Sequence, residues 1–193
     1  MIRERLLDAK DALDLWIEER ESFIPRGLLA IYLGYAGVRH MTNPLYGSWF
    51  SGITLAFHEM GHIVFIPLGR TMTIAGGSIM QLLVPLAAAI YLLKKQNDWF
   101  GLGVGLAWLS FATFELATYV GDAARMELPL TGFGGGYHHD WATLLTQWRV
   151  IDHCDAIATG VRVLAGGIWL FAMILMGYIV TRIAMRRHSA RGS

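Results

Sequence analysis

Four long stretches of the chain are nearly free of charge, and they set its plan. Residues 71–93 and 163–181 contain no Asp, Glu, Lys or Arg, residues 45–69 contain only Glu59, and residues 99–121 contain only Glu115. Each run is about as long as the ~20 residues that cross ~30 Å of hydrocarbon. A soluble core helix of that length keeps a polar face. The pattern predicts spanning helices over 45–68, 77–93, 99–120 and 160–181, punctuated by Asn43-Pro44, Gly69-Arg70 and Lys94 to Asp98. Residues 27–38, between Arg26 and Arg39, are apolar but short; they read as a thinned or tilted span or as a hairpin arm. The expected fold class is an all-α integral membrane protein, a polytopic bundle of about five transmembrane helices within a range of about four to six.

Ahead of the bundle, Ile2, Leu6, Ala9, Leu13, Trp16 and Ile17 recur at three- and four-residue spacing with charged residues between them. Residues 1–24 therefore form an amphipathic N-terminal helix. It either lies at headgroup level with Trp16 as anchor or docks on a partner subunit. Pro25 ends it, and residues 25–185 make up the polytopic domain. Within that domain 121–159 is mixed in polarity, with Gly132 and Gly134-Gly135-Gly136, and reads as a long loop with one amphipathic helix near 140–150. Gly101 and Gly105, and Gly166 with Gly167, offer close-packing faces.

Composition agrees. The chain has 193 residues, 54% hydrophobic and 16% charged, with a mean hydropathy of +0.43, against roughly a quarter charged in soluble domains. The charged residues 2–21 exclude a cleavable signal peptide at the start. Cys154 is the only cysteine, so neither an intrachain disulfide nor a CxxC knuckle is available. A net charge of +1 gives no nucleic-acid footprint. Arg182, Arg186, Arg187 and Arg191 follow the last run, and Lys94-Lys95 lie on the same side by alternation, which makes that side cytoplasmic. Residues 186–193 are then a basic cytoplasmic tail, with 121–159 on the opposite face. The N-terminus is outside if 27–38 crosses and inside if it does not.

The chemistry centres on His58-Glu59-Met60-Gly61-His62. Positions i and i+4 share a helix face, so both imidazoles can address one ion with Glu59 beside them as a base. Ionisable groups at membrane depth are costly unless paired or coordinated. A hydrogen-bonded cluster between helices, or histidines on a pigment or haem, are the other readings of the pair. Zinc needs a third protein ligand and keeps an open position when catalytic. Counted at ~1.5 Å per residue, His58 and His62 lie about 20–25 Å into their run and Glu115 about 24 Å into its own. Glu115 is the first choice as third ligand, with Asp122 and the His139/Asp140 pair as alternatives. His153, Cys154 and Asp155 read as a helix start with surface polar residues rather than a second metal cluster.

The run Phe57-His58-Glu59-Met60-Gly61-His62 in an apolar span resembles the site-2-protease-like membrane metalloproteases, and in particular small bacterial HExGH membrane proteins distantly related to them. The likeness extends through Gly76-Gly77-Ser78-Ile79-Met80-Gln81 with Pro85, Tyr119-Val120-Gly121-Asp122 with Leu128-Pro129-Leu130, and His139-Asp140-Trp141 with Leu144-Leu145. It covers roughly residues 45–160. The resemblance implies an intramembrane zinc endopeptidase of the bacterial inner membrane, with His58 and His62 as zinc ligands and Glu59 as the general base that activates water. It also implies that a segment like 76–85 binds extended substrate, and an exposed strand edge is expected at Gly76-Gly77-Ser78. The family's third ligand commonly comes from an Asp followed by Gly, whereas here the order is Gly121-Asp122. The expected partners are the lipid bilayer and a transmembrane or membrane-proximal protein substrate. The alternative is a non-catalytic subunit of a larger membrane complex that keeps a vestigial HExxH metal site; a metal transporter lacks the chain of intramembrane carboxylates it would need.

Overall fold

A computed structural model describes residues 2–128 and 139–191. Among them there is no strand. The helices are α1 (Ile2–Glu18), α2 (Ile24–Thr42), α3 (Ser51–Val64), α4 (Arg70–Gln96), α5 (Trp99–Gly121), α6 (Asp140–Gln147) and α7 (Cys154–Arg191), with short 3₁₀ turns at Ile66–Leu68 and Ile151–His153. By length and composition α4, α5 and α7 are long and apolar enough to cross a membrane. The glycine run at 134–136 lies outside the described residues.

Helix α5 is the hub. It is apolar on every side, and Phe100, Ala107, Phe111, Leu116 and Val120 are all buried, as expected of a helix surrounded by others. Where lipid replaces water, helices associate through close packing and side-chain hydrogen bonds rather than hydrophobic expulsion, and small residues permit that approach. Gly105 lies where a Cβ would meet Ala89 of α4, Gly103 where it would meet Met176 of α7, and Gly37 where it would meet the Trp169 indole. Gly166 and Gly167 have no comparable neighbour, so the second expected packing face is not used.

Residue pairings give the direction of each helix. Gly27, Gly34 and Gly37 face Val180, Met173 and Trp169, so α2 and α7 are antiparallel. Gly103 with Met176 and Gly121 with Ala158 set α5 against α7 in the same way. Gly105 with Ala89 and Gln81 with Ala112 make α4 antiparallel to α5, and His58 with Gln81 and His62 with Thr73 make α3 antiparallel to α4. Helices α2, α3 and α5 therefore run one way, α4 and α7 the other.

Two expectations change. Residues 45–68 are not one helix. The Trp49 ring stacks on Tyr32 at 4.1 Å and its backbone N–H donates to the Tyr32 hydroxyl at 3.0 Å. Tyr32 sits about three turns before the end of α2, so the segment between α2 and α3 doubles back and α3 starts partway along the bundle. Trp16 is no headgroup anchor either: it is 2% exposed, in the core with Leu33, Phe100 and Ile183. Helix α1 is held on α7, where Asp14 accepts from the Tyr178 hydroxyl at 3.2 Å and the Ile17 carbonyl accepts from Arg186 at 3.2 Å. The C-terminal part of α1 thus meets the C-terminal part of α7 at one end of the bundle, with α6 at the other. The amphipathic helix expected near 140–150 is α6, and the last helix is longer than the expected 160–181.

Candidate metal centre

The HEMGH run sits on α3, whose one-turn spacing puts His58 and His62 on the face turned to α4. The two helices nearly touch there. A Cβ on Gly61 would collide with the Gly76 carbonyl, and one on Gly76 would lie 2.6 Å from the Gly61 carbonyl oxygen. The glycines expected to form a strand edge are interior to α4; they serve this helix crossing instead. A Cβ on Gly77 would lie 2.6 Å from His58 Nε2 and 2.7 Å from His62 Nε2, so its missing side chain is space in front of both rings.

The outer nitrogens are fixed. His62 Nδ1 is 2.9 Å from the Thr73 carbonyl, which only accepts, so Nδ1 carries the hydrogen. His58 Nδ1 lies 2.9 Å from Gln81 Oε1, and that amide's orientation is set because its Nε2 donates to the Ala112 carbonyl at 2.9 Å. Both Nε2 atoms then converge on one carboxylate oxygen, Asp140 Oδ2, at 3.1 and 3.3 Å. The three ligand atoms lie within 4.8 Å of one another. His58 is 8% exposed and Asp140 8%.

Asp140 opens α6 and is held from three sides. Its N–H donates to the Tyr119 hydroxyl at 2.9 Å, and Trp141 Nε1 donates to Ser78 Oγ at 3.0 Å. His139 stacks on Tyr119 at 4.2 Å and caps α6 by accepting from the Ala142 N–H at 3.2 Å. Its other nitrogen stands 3.4 Å from Asp122, too poorly aligned for a hydrogen bond. Burial pushes the His139 imidazole below its ordinary pKa despite that neighbour. Burial also pushes the Asp140 carboxyl up, but the contacts with His58 and His62 more than offset it and hold it below the usual carboxylate range.

The other expected third partners lie elsewhere. Glu115 accepts from Ser51 Oγ at the start of α3. Asp122 accepts from the backbone N–H groups of Glu127 and Leu128, each at 3.0 Å, and closes the end of α5. His139 faces Asp122 and Tyr119 rather than the ring nitrogens. Glu115 was favoured by a depth count that treated 45–68 as one helix; since α3 begins at Ser51, that count is offset. Glu59 is half-buried, next to His58 on α3. Cys154 is buried against the Gly121 carbonyl and Asp155 pairs with Arg125 at 3.2 Å, so these two are engaged in helix packing, while His153 is exposed. Nothing in the sequence marks Thr73 as a partner of His62, and Gln81 and Tyr119 stand out there only within the flanking segments, without their roles beside His58 and Asp140.

The distances suit a metal ion. Two ligands at about 2.0–2.1 Å from a tetrahedral ion stand roughly 3.3–3.4 Å apart, close to the spacing found here. Charge-assisted hydrogen bonds between imidazolium and carboxylate are shorter, about 2.7–2.9 Å. Without a cation, either two lone pairs face a carboxylate, or two imidazolium charges crowd one acid in a poorly solvated place. With one, each histidine has the usual arrangement of outer N–H on an acceptor and inner nitrogen on the ion.

If the triad holds a divalent metal, replacing Gly77 with Ala should weaken its binding about 10- to 100-fold, the range seen when a site's supporting shell is disturbed. Alanine gains up to about 1 kcal/mol of helix propensity over glycine, so the loss is steric rather than a weakened α4. Competition with a chelator of known affinity measures it, and unchanged affinity would count against the packing around both rings. Comparison of the chain with protein-family models, with curated proteins and with solved structures finds no match.

Proposed function

We propose that this protein is an intramembrane zinc metalloprotease in which His58, His62 and Asp140 hold the ion and Glu59 is the general base. The observation that carries the reading is the convergence of two Nε2 atoms, each with its Nδ1–H already committed, on a single carboxylate oxygen. Three protein ligands of His and carboxylate type, with a further position left for water or substrate, are the donor set of hydrolytic zinc. A bound zinc would supply Lewis acidity, polarising a carbonyl and lowering the pKa of water towards neutrality.

The chain's own part is positional. Thr73 and Gln81 keep both rings in the tautomer that presents Nε2. Tyr119 and Ser78 hold the Asp140 segment against α3 and α4. Glu59, next to His58 and outside the triad, accepts the proton of the attacking water and delivers it to the leaving amine. The resemblance of the HEMGH run and its flanking segments to site-2-protease-like enzymes supports a peptide as substrate.

The same reading places α4, α5 and α7 across the bilayer, with α2 and α3 together making one interrupted crossing. The start of α2 and the end of α7 then lie on the cytoplasmic side with Lys94, Lys95, Arg182 and Arg186, as the distribution of basic residues favours, and the triad lies near the opposite face. Removing metal tests the function. A chelator should abolish cleavage of a membrane-embedded peptide substrate by the purified protein, and stoichiometric Zn²⁺ should restore it. Cleavage that persists in metal-free protein would end the proposal.

A further inference from the structure

Beside the triad a cleft of about 550 Å³ runs between the start of α4 and α6. Its lining comes within one helical turn of the site: Ile74 lies one turn before Gly77 and Ser78, and Thr143 one turn after His139 and Asp140. Both walls mix polar and apolar groups: Thr71 and Ile74 from α4 face Ala142, Thr143, Thr146 and Gln147 from α6. Gln147 and Thr71 hydrogen-bond across it at 3.1 Å, so groups that satisfy each other here can be exchanged for a peptide backbone. Arg70 stands at the outer end. No acid occupies the first turn of α4, and no ion pair engages Arg70 among the described residues.

We infer that this cleft binds an extended peptide segment and that Arg70 selects a carboxylate on it. The inference rests on the proteolytic reading of the triad and adds the substrate class. Seven residues of α4 separate Arg70 from Gly77, about 10 Å at 1.5 Å per residue. An extended peptide covers that distance in about three residues at ~3.3 Å each. The carboxylate therefore belongs about three residues from the scissile bond, as an Asp or Glu side chain or as the chain's own C-terminus. Arginine suits the role because its planar fork pairs with a carboxylate through two parallel hydrogen bonds. A cleft of mixed polarity that comes within a helical turn of the triad fits a peptide with alternating side chains better than a phospholipid headgroup, which needs only a surface cation.

Binding tests this without turnover. Metal-loaded Glu59→Gln protein in neutral detergent is titrated calorimetrically with three N-acetylated Leu/Ala hexapeptides. One is a C-terminal amide without any acid, one a free C-terminal acid, and one an amide carrying Asp three residues beyond the central bond. At least one acidic peptide should bind about tenfold more tightly than the neutral one, the value of one charge-assisted pair; which of the two does so tells side chain from terminus. Arg70→Gln should erase the difference and Arg70→Lys should keep part of it. Equal affinities, or a preference that survives Arg70→Gln, would overturn the inference. So would phosphatidylglycerol bicelles that displace the acidic peptides while phosphatidylcholine bicelles do not, since Arg70 would then be a headgroup contact. Acid preference in a protein that never cleaves peptides counts against hydrolysis and leaves the cleft standing; cleavage with no acid preference does the reverse.

Discussion

Asp140→Ala is expected to lower zinc affinity by more than about 100-fold, whereas Glu115→Ala should leave it within about threefold of the wild type. The first figure exceeds the roughly 10- to 100-fold typical of losing an outer-shell partner, because Asp140 Oδ2, 3.1 and 3.3 Å from the two ring nitrogens, is placed to be a ligand of the proposed ion. Glu115 has another task. Its carboxylate meets Ser51 where α3 begins, and with the Trp108 indole donating to Thr54 at 2.8 Å it ties α3 to α5. Glu115→Ala should therefore reduce thermal stability with metal still bound, by about 1 kcal/mol for a lost side-chain hydrogen bond in a membrane interior. Metal analysis and chelator competition on the two purified variants separate these outcomes. The reverse order would return the third ligand to α5 and make the Asp140 geometry incidental.

That reversal of rank shows where the sequence was legible and where it was not. Long charge-free runs identify α4, α5 and α7 because hydrocarbon imposes one length on whatever crosses it. The i, i+4 spacing of His58 and His62 identifies a shared face because helical periodicity is local. The break before α3 is different. Residues 43–50 include Leu45, Tyr46, Trp49 and Phe50, as apolar as a span, and hydropathy cannot tell a helix from a segment folded back on Tyr32. Asp140 was hard to rank for a related reason. It stands 78 residues beyond His62, and its place depends on Tyr119 and Ser78 gripping the residues around it, a tertiary arrangement with no periodic trace. Amphipathic spacing in α1 correctly marks Trp16 as apolar-facing, yet says nothing of whether lipid or α7 covers it. Gly76 and Gly77 announce a close approach without naming what approaches; here it is α3 with its two imidazoles.

Glu59→Gln should abolish peptide hydrolysis by about 100- to 10,000-fold, the usual contribution of a positioned general base, while metal content and affinity stay unchanged. Both halves follow from position. Glu59 adjoins His58 in the chain and is half-buried, yet it is absent from the three groups whose ligand atoms converge. A glutamine keeps its size and hydrogen-bonding reach but cannot take a proton at neutral pH, so the loss would fall on turnover rather than on substrate affinity. Single-turnover rates and bound zinc, measured on the same preparation, give the two halves together. If Glu59→Gln lost its metal as well, Glu59 would be a ligand or its support, and water would need another base. If turnover were unchanged, or if neither form cleaved any membrane peptide while zinc remained bound, the triad would be a structural clamp between α3, α4 and α6. The protein would then be better read as a metal-stabilised, non-catalytic subunit of a larger membrane complex. The two outcomes differ physically in one respect: a catalytic ion must keep a position that exchanges with solvent, and a structural one must not.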